Sequence, residues 1–275
     1  MSALEAIVLG IAQGLTEFLP ISSTGHLRIL PAFFGWEDPG AAFTAVTQLG
    51  TMAAVLLYFR EDLARIARAW LRSVAARERR PADQDARIGW YILLGTIPIG
   101  IFGIAFKDQI ETGARDLYLI ATMLIVLGLV LLAAERVGKR ERGMDSLGVR
   151  DGIAVGFAQA MALIPGVSRS GATITAGLFL GLDREAAARF SFLLSIPAVV
   201  LSGLLELSSI ASGEEGGNTT AGALILATAM AFVSGYAAIA FLLRFLQTHS
   251  TLVFIVYRIA LGALVFALLG AGAIE

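Results

Sequence analysis

Two short stretches of the 275-residue chain concentrate the side chains that can do chemistry. The first, QGLTEFLPISSTGH at 13–26, opens with Gln13 and Glu17, four apart and therefore on one face of a helix, and then meets Pro20, which ends that helix and begins a turn. Beyond the turn come Ser22, Ser23, Thr24, Gly25 and His26. A carboxylate, hydroxyls and an imidazole within so few residues are the parts of a nucleophile with its acid–base partner. The structural alternative is that Ser22 or Ser23 only caps the following helix and Glu17 reaches outward to water.

The second stretch, PGVSRSGAT at 165–173, is of another kind. Gly166 and Gly171 let backbone approach a ligand closely, Ser168, Ser170 and Thr173 supply hydroxyl donors, and Arg169 presents a planar fork of donors. A buried arginine needs an anion, and the helix that follows points its N-terminal amides into the same space. Hydroxyls, amides and a guanidinium together suit phosphate better than carboxylate. Arg169 can instead form a structural pair with Glu17, which does not exclude anion binding. Neither stretch is a Walker loop, and no aspartyl-phosphate motif is visible.

The elements that must carry these residues lie in lipid. With 57% hydrophobic and 16% charged residues and a mean hydropathy of +0.77, the chain has too little polar surface to coat a soluble fold of its size. The absence of cysteine excludes disulfides, a thiolate nucleophile and Cys-ligated zinc, and two histidines leave no multi-histidine metal site. A balance of 21 basic against 22 acidic residues gives no sign of a nucleic-acid partner. Six stretches approach the roughly 20 apolar residues a spanning helix needs, near 41–59, 88–106, 117–135, 187–207, 221–243 and 252–272. Segments 3–35 and 152–181 are equally apolar but broken in the middle by polar residues, Gly and Pro, which predicts helix-loop-helix units. The expected fold is an all-α integral membrane protein, one membrane domain over 1–275.

Lys and Arg orient it, because they concentrate in short cytoplasmic loops. Arg60, Arg65, Arg68, Arg72, Arg77, Arg79, Arg80 and Arg87 fall in 60–87, and Lys139, Arg140, Arg142 and Arg150 in or beside 137–150, just after Arg136; both loops are expected in the cytoplasm. The acidic stretch 211–220 suits the opposite face, and Arg244 with His249 the cytoplasmic one. A single alternation satisfies all of these when the first broken segment opens outward, the second inward, and both termini lie outside. The spacing of Arg65, Arg68 and Arg72 predicts a short amphipathic helix on anionic headgroups. The N-terminal apolar stretch lacks a basic start and is expected to belong to the fold rather than to a signal peptide.

The two broken segments resemble each other. GIAQGLTEFLPISSTG at 10–25 and GFAQAMALIPGVSRSG at 156–171 align without a gap at an offset of 146 (156 − 10), pairing Gly10, Ala12, Gln13, Ser22 and Gly25 with Gly156, Ala158, Gln159, Ser168 and Gly171. AFKDQ at 105–109 echoes AFLLR at 240–244. A duplication with repeats at 1–137 and 150–275, each one re-entrant unit plus three spans, inserts its second half upside down. Inverted repeats place their site at mid-membrane where the broken helices meet, because non-helical backbone survives there only against protein or water. Two kinked spans with no site are the alternative. On residues alone the chain handles a phosphorylated molecule, as an enzyme or as a transporter or flippase for an anionic solute.

The same residues resemble a known family. QGLTEFLPISSTGH is similar to the E/Q-x-x-x-E segment with its S-S-T-G-H extension, and PGVSRSGAT to the P-G-x-S-R-S-x-x-T motif, of the bacterial undecaprenyl pyrophosphate phosphatases associated with bacitracin resistance. The resemblance covers the chain in size, span layout and motif order. It implies a plasma-membrane enzyme, its site open to the periplasm, that releases the terminal phosphate of undecaprenyl pyrophosphate. The product lipid then carries sugars for peptidoglycan and other wall polymers. A divalent cation, Mg2+ or Ca2+, supports the family's activity; the resemblance puts Glu17 and Gln13 at its site, with an amide where some members have a second carboxylate. Ser23 and His26 match the hydroxyl and imidazole of the chemistry. Either Ser23 attacks while His26 or Glu17 takes its proton, or His26 attacks or activates water while Ser23 positions phosphate. Ser168, Arg169, Ser170 and Thr173 match the phosphate-binding motif, and Ser22, Thr24 and Gly166 complete the expected contacts. Asp145 matches an acidic residue important in the family, and its place in a basic loop favours a structural or regulatory role. The 30 glycines point equally to internal helix packing and to a homodimer.

Overall fold

The computed structural model describes residues 1–78, 81–106, 109, 116–211 and 220–274, leaving aside the side chains at 41 and 204–211. Arg79, Arg80, Lys107 and Asp108, and most of the acidic stretch, 212–219, lie outside the described residues. Among those described, regular structure is helical, with eleven α-helices and two short 3-10 turns, Met144–Ser146 and Met161–Leu163.

Each broken segment is a pair of short helices packed on each other. The first comprises α1 (Ala3–Phe18) and α2 (Ser23–Phe34). The helices α3 (Gly40–Tyr58), α4 (Arg60–Ala75), α5 (Gln84–Ala105) and α6 (Leu117–Val137) follow. The second pair is α7 (Val149–Ala160) and α8 (Arg169–Phe179), followed by α9 (Arg184–Ala211), α10 (Ala221–Thr248) and α11 (Leu252–Gly270). At about 1.5 Å per residue, the 12, 12 and 11 residues of α2, α7 and α8 fall well short of the roughly 30 Å hydrocarbon core. None of these three can cross it.

Among the described residues five helices, α5, α6, α9, α10 and α11, are long and apolar enough to span a membrane, and the bent pair α3–α4 makes up to six. The protein is thus a multi-pass helical membrane protein, with its spans where the apolar stretches predict them. The amphipathic helix predicted by the Arg65, Arg68 and Arg72 spacing is α4, and it follows α3 more closely than a loop would: the chain bends by 72° at Phe59 and re-enters a helix at Arg60. Helix α4 is amphipathic, burying Asp62, Ile66, Ala69 and Ser73. Arg68 and Arg72 are exposed, whereas Arg65 is held by Asp62 at 2.8 Å and Asp85 at 2.7 Å and so ties α4 to α5.

Close helix contacts set the frame of the site. Helix α1 lies along α10, and α7 along α5. A Cβ at Gly10 would fall 2.3 Å from the Ala227 carbonyl of α10, and one at Gly156 would fall 2.5 Å from the Gly95 backbone of α5. Hydrogen in place of a side chain is what lets both broken segments seat, and it occupies equivalent positions in the two. Helices α6 and α11 pack together between them.

The basic residues bind helix ends to one another at one end of the bundle. Glu135, at the close of α6, accepts from Arg140 at 2.9 Å, from Arg184 and from Thr251 Oγ1 at 2.7 Å, joining the ends of α6, α9 and α11. Arg142 grips Asp151 at 2.7 Å and the Leu180 carbonyl at 2.8 Å, joining the start of α7 to the end of α8. The Asp151 carboxylate raises the Arg142 pKa above its ordinary value through that hydrogen bond, against the lowering by partial burial.

Candidate active site

The two loops between the short helices are built alike. Pro20 and Pro165 stand where α1 and the 3-10 turn after α7 give out, and the chain then enters the next helix through Ser22 at φ 76° and Ser168 at φ 70°. Left-handed backbone is costly for serine, and each residue recovers part of the cost by capping. Ser22 Oγ accepts from the Gly25 amide at 3.4 Å, and Ser168 Oγ from the Gly171 amide at 3.1 Å. A second hydroxyl follows in each: Ser22 lies 3.3 Å from Thr24, and Ser168 lies 3.2 Å from Ser170.

Glu17 joins the loops. One carboxylate oxygen accepts from Ser23 Oγ at 2.6 Å and Gln13 Nε2 at 3.2 Å, and the other is bonded by the Arg169 guanidinium from the opposite loop. Ser170 Oγ donates to the Leu19 carbonyl at 3.1 Å, a second bridge. The Glu17 side chain is 9% exposed and that of Arg169 17%, so water screens the pair little. Beneath Glu17, Phe18 packs edge-on against Phe192 of α9 with ring centroids 5.5 Å apart.

His26 is buried and turned to other partners. Its Nδ1 lies 2.7 Å from the Ser22 carbonyl and its Nε2 2.7 Å from the Tyr257 hydroxyl of α11. Ser23 is therefore bonded to the carboxylate, not to the imidazole.

The residue that holds the loops in register is Arg258, which sequence reasoning passed over. Fully buried in α11, it donates to the carbonyls of Pro20, Met123, Leu124, Gly166 and Val167 at 3.0 to 3.3 Å. It thereby satisfies the backbone that each loop leaves open, and two carbonyls of α6 as well. An arginine in the middle of an apolar span was the available signal, since such a charge is expensive unless enclosed. Arg258→Met is expected to destabilise the protein by about 3 kcal/mol or more, read as a lower thermal unfolding midpoint in detergent; an unchanged midpoint would remove Arg258 from this role.

The remaining expected residues divide. Ser22, Ser23, Thr24, Ser168, Arg169 and Ser170 gather at the junction with Glu17 and Gln13. Thr173 is completely buried and points to α9, its hydroxyl bonded to the Arg169 carbonyl at 2.7 Å and to Ser191 Oγ at 2.5 Å. Gly166, at φ 87°, has its backbone against Ile120 of α6, where a Cβ would lie 2.6 Å from a carbonyl, so packing accounts for it as well. Asp145 is not brought to the loops. It is exposed on the 3-10 turn 144–146 and lines a cavity of about 320 Å3 with Asp62, Arg65, Asp83, Asp85 and Arg189, among the helix ends of the basic side.

Among the described residues no three His, Cys, Asp or Glu side chains form a ready metal cage. Gln13 offers something smaller: its Oε1 is buried with no hydrogen-bond partner, on the same side chain whose Nε2 donates to Glu17.

Comparison with known proteins joins this geometry to a family. The description of the bacitracin resistance protein BacA matches residues 6–264, a range that contains both loops. The chain belongs to the bacitracin resistance protein BacA family. Its relatives in that family are similar from end to end. Undecaprenyl-diphosphatase 3 of Frankia alni is 57% identical over 290 residues, covering 100% of this chain and 97% of the relative. Undecaprenyl-diphosphatase of Mycolicibacterium smegmatis is 56% identical over 273 residues, covering 99% and 98%. That of Myxococcus xanthus is 56% identical over 272 residues, covering 99% and 91%.

Proposed function

We propose that this BacA-family chain hydrolyses undecaprenyl diphosphate to undecaprenyl phosphate and inorganic phosphate in the bacterial plasma membrane. It thereby returns the lipid carrier to cell-wall synthesis and lowers sensitivity to bacitracin. The observation that carries the reading is the Glu17 carboxylate, bonded at once to the Ser23 hydroxyl and to the Arg169 guanidinium. A nucleophile, its base and an anion clamp meet in one place, and relatives across the whole chain are named for this reaction.

Ser23 Oγ attacks the terminal phosphorus as Glu17 takes its proton; the bond from phosphorus to the bridging oxygen breaks, and undecaprenyl phosphate leaves. Water then attacks the phosphoserine and releases phosphate. The hydrogen bond from Ser23 to Glu17 favours this route over one in which His26 attacks, since the imidazole is engaged elsewhere. Arg169, the Ser168 and Ser170 hydroxyls and the first amides of α8 hold the phosphate oxygens and balance their charge, the main requirement of phosphoryl transfer. The incoming anion competes with Glu17 for Arg169, so substrate entry frees the carboxylate to act as base. The structural pair and the phosphate clamp are two states of one arginine.

Glu17 and the unpartnered Gln13 Oε1 would hold a divalent ion, Mg2+ or Ca2+. When bound it supplies charge neutralisation on the diphosphate.

The halves are inverted repeats, a reading supported by the gapless alignment, the matching Ser22 and Ser168 caps, and the exchange that pairs α1 with α10 and α7 with α5. The arginine-rich helix ends face the cytoplasm by the positive-inside rule, so the loop of α1 and α2 opens to the periplasm. Purified protein given undecaprenyl diphosphate is expected to release phosphate, and EDTA to suppress the release. No release with any divalent ion would favour a polyprenyl phosphate transporter built on the same broken helices.

A further inference from the structure

Tyr257 has no part in the reaction as derived above, yet its side chain contacts the imidazole of His26 directly. The phenol and imidazole rings stack within 7° of parallel at a centroid distance of 5.6 Å, in addition to the 2.7 Å bond between Tyr257 Oη and His26 Nε2. At its other nitrogen His26 faces a carbonyl, which can only accept. Nδ1 therefore carries the hydrogen. The neutral ring is then an acceptor at Nε2, and the Tyr257 O–H is the donor. The two partners come from different places: Ser22 directs its carbonyl from a left-handed backbone at the start of α2, while Tyr257 arrives from α11, 231 residues away. His26 is 6% exposed and Tyr257 43%, so the phenol links the buried imidazole to the protein surface.

We propose that Tyr257 is a positioning residue for His26: its hydroxyl donates to Nε2 and its ring stacks on the imidazole, holding the ring plane so that the Nδ1–H set by the Ser22 carbonyl stays on that carbonyl. The inference rests on the proposed phosphatase reaction, which His26 serves by holding the Ser22 carbonyl beside the nucleophile Ser23. As in many metal-ligating histidines, a carbonyl at one ring nitrogen sets the tautomer, and here a phenol takes the other nitrogen. Without the hydroxyl, the imidazole loses its only described partner at Nε2, and stacking alone holds the ring plane.

The chain has two histidines, so nitrogen-15 NMR of histidine-labelled protein in detergent shows two rings, and His249→Gln identifies the one at His26. The expected wild-type spectrum has the proton on Nδ1 and a hydrogen-bonded, unprotonated Nε2. Tyr257→Phe keeps the ring and removes the donor; it is expected to move the Nε2 signal and to lower kcat about tenfold with KM little changed. Tyr257→Leu removes the ring as well and is expected to be no more active. A wild-type His26 protonated on Nε2 would overturn the proposal, whether or not either variant folds. So would a Tyr257→Phe protein with wild-type kcat and an unmoved Nε2 signal, which would leave only stacking. Should wild-type protein release no phosphate, the proposed reaction fails, while the spectrum still decides the contact.

Discussion

Replacing Arg169 with lysine is expected to cut phosphate release from undecaprenyl diphosphate by about two to three orders of magnitude, although the charge is kept. The guanidinium reaches Glu17 from the opposite loop and still has donors to offer a second oxygen ligand. An ammonium is a point charge on a flexible stem. It can satisfy Glu17 or a phosphate oxygen but cannot present a planar fork to both as one gives way to the other. Because a cation remains beside Glu17, the thermal midpoint of Arg169→Lys should stay near wild type, which separates lost chemistry from lost fold. Near-normal turnover of the purified variant would contradict the phosphate clamp.

Glu17→Gln is expected to fall as far by a different path, with kcat down about 100-fold or more while KM does not rise. The amide cannot take the Ser23 proton, but Arg169 is relieved of its competitor and remains free to bind phosphate. Stability should fall too, by about 3–5 kcal/mol, because a largely buried cation loses its counter-charge. Inorganic phosphate should then restore part of the unfolding midpoint by binding the folded state. Steady-state kinetics with thermal unfolding in increasing phosphate test both halves of this expectation. A variant whose response to divalent ions matches wild type would remove Glu17 from the metal site.

Much of this was legible locally. Hydropathy located the spans because desolvation of a 20-residue stretch is a sum over neighbours in the chain. Prolines and the polar breaks located both loops, and the types of Ser23, Glu17 and Arg169 named their chemistry. The bend at Phe59 was not legible, since nothing in REDLARIARAW says that its helix follows the one before with no loop between. Nor was the use of Thr173, which carries a phosphate-binding residue type but spends its hydroxyl on Ser191 of α9.

Composition and order by themselves determined that the chain is a helical membrane protein, where its helices break, and that a carboxylate, a hydroxyl and an arginine are kept in lipid at the breaks. Only the tertiary structure decided who meets whom. Glu17 and Arg169 are 152 residues apart, His26 and Tyr257 are 231, and Arg258 reaches back 238 to the Pro20 carbonyl. Burial of a polar group can be read from a single segment, but its satisfaction cannot, because in a membrane interior the partner must come from another helix. The packing of α11 against α6 and the two loops supplies that partner. It gives His26 to Tyr257 and, through Arg258, holds the two distant motifs together as one site.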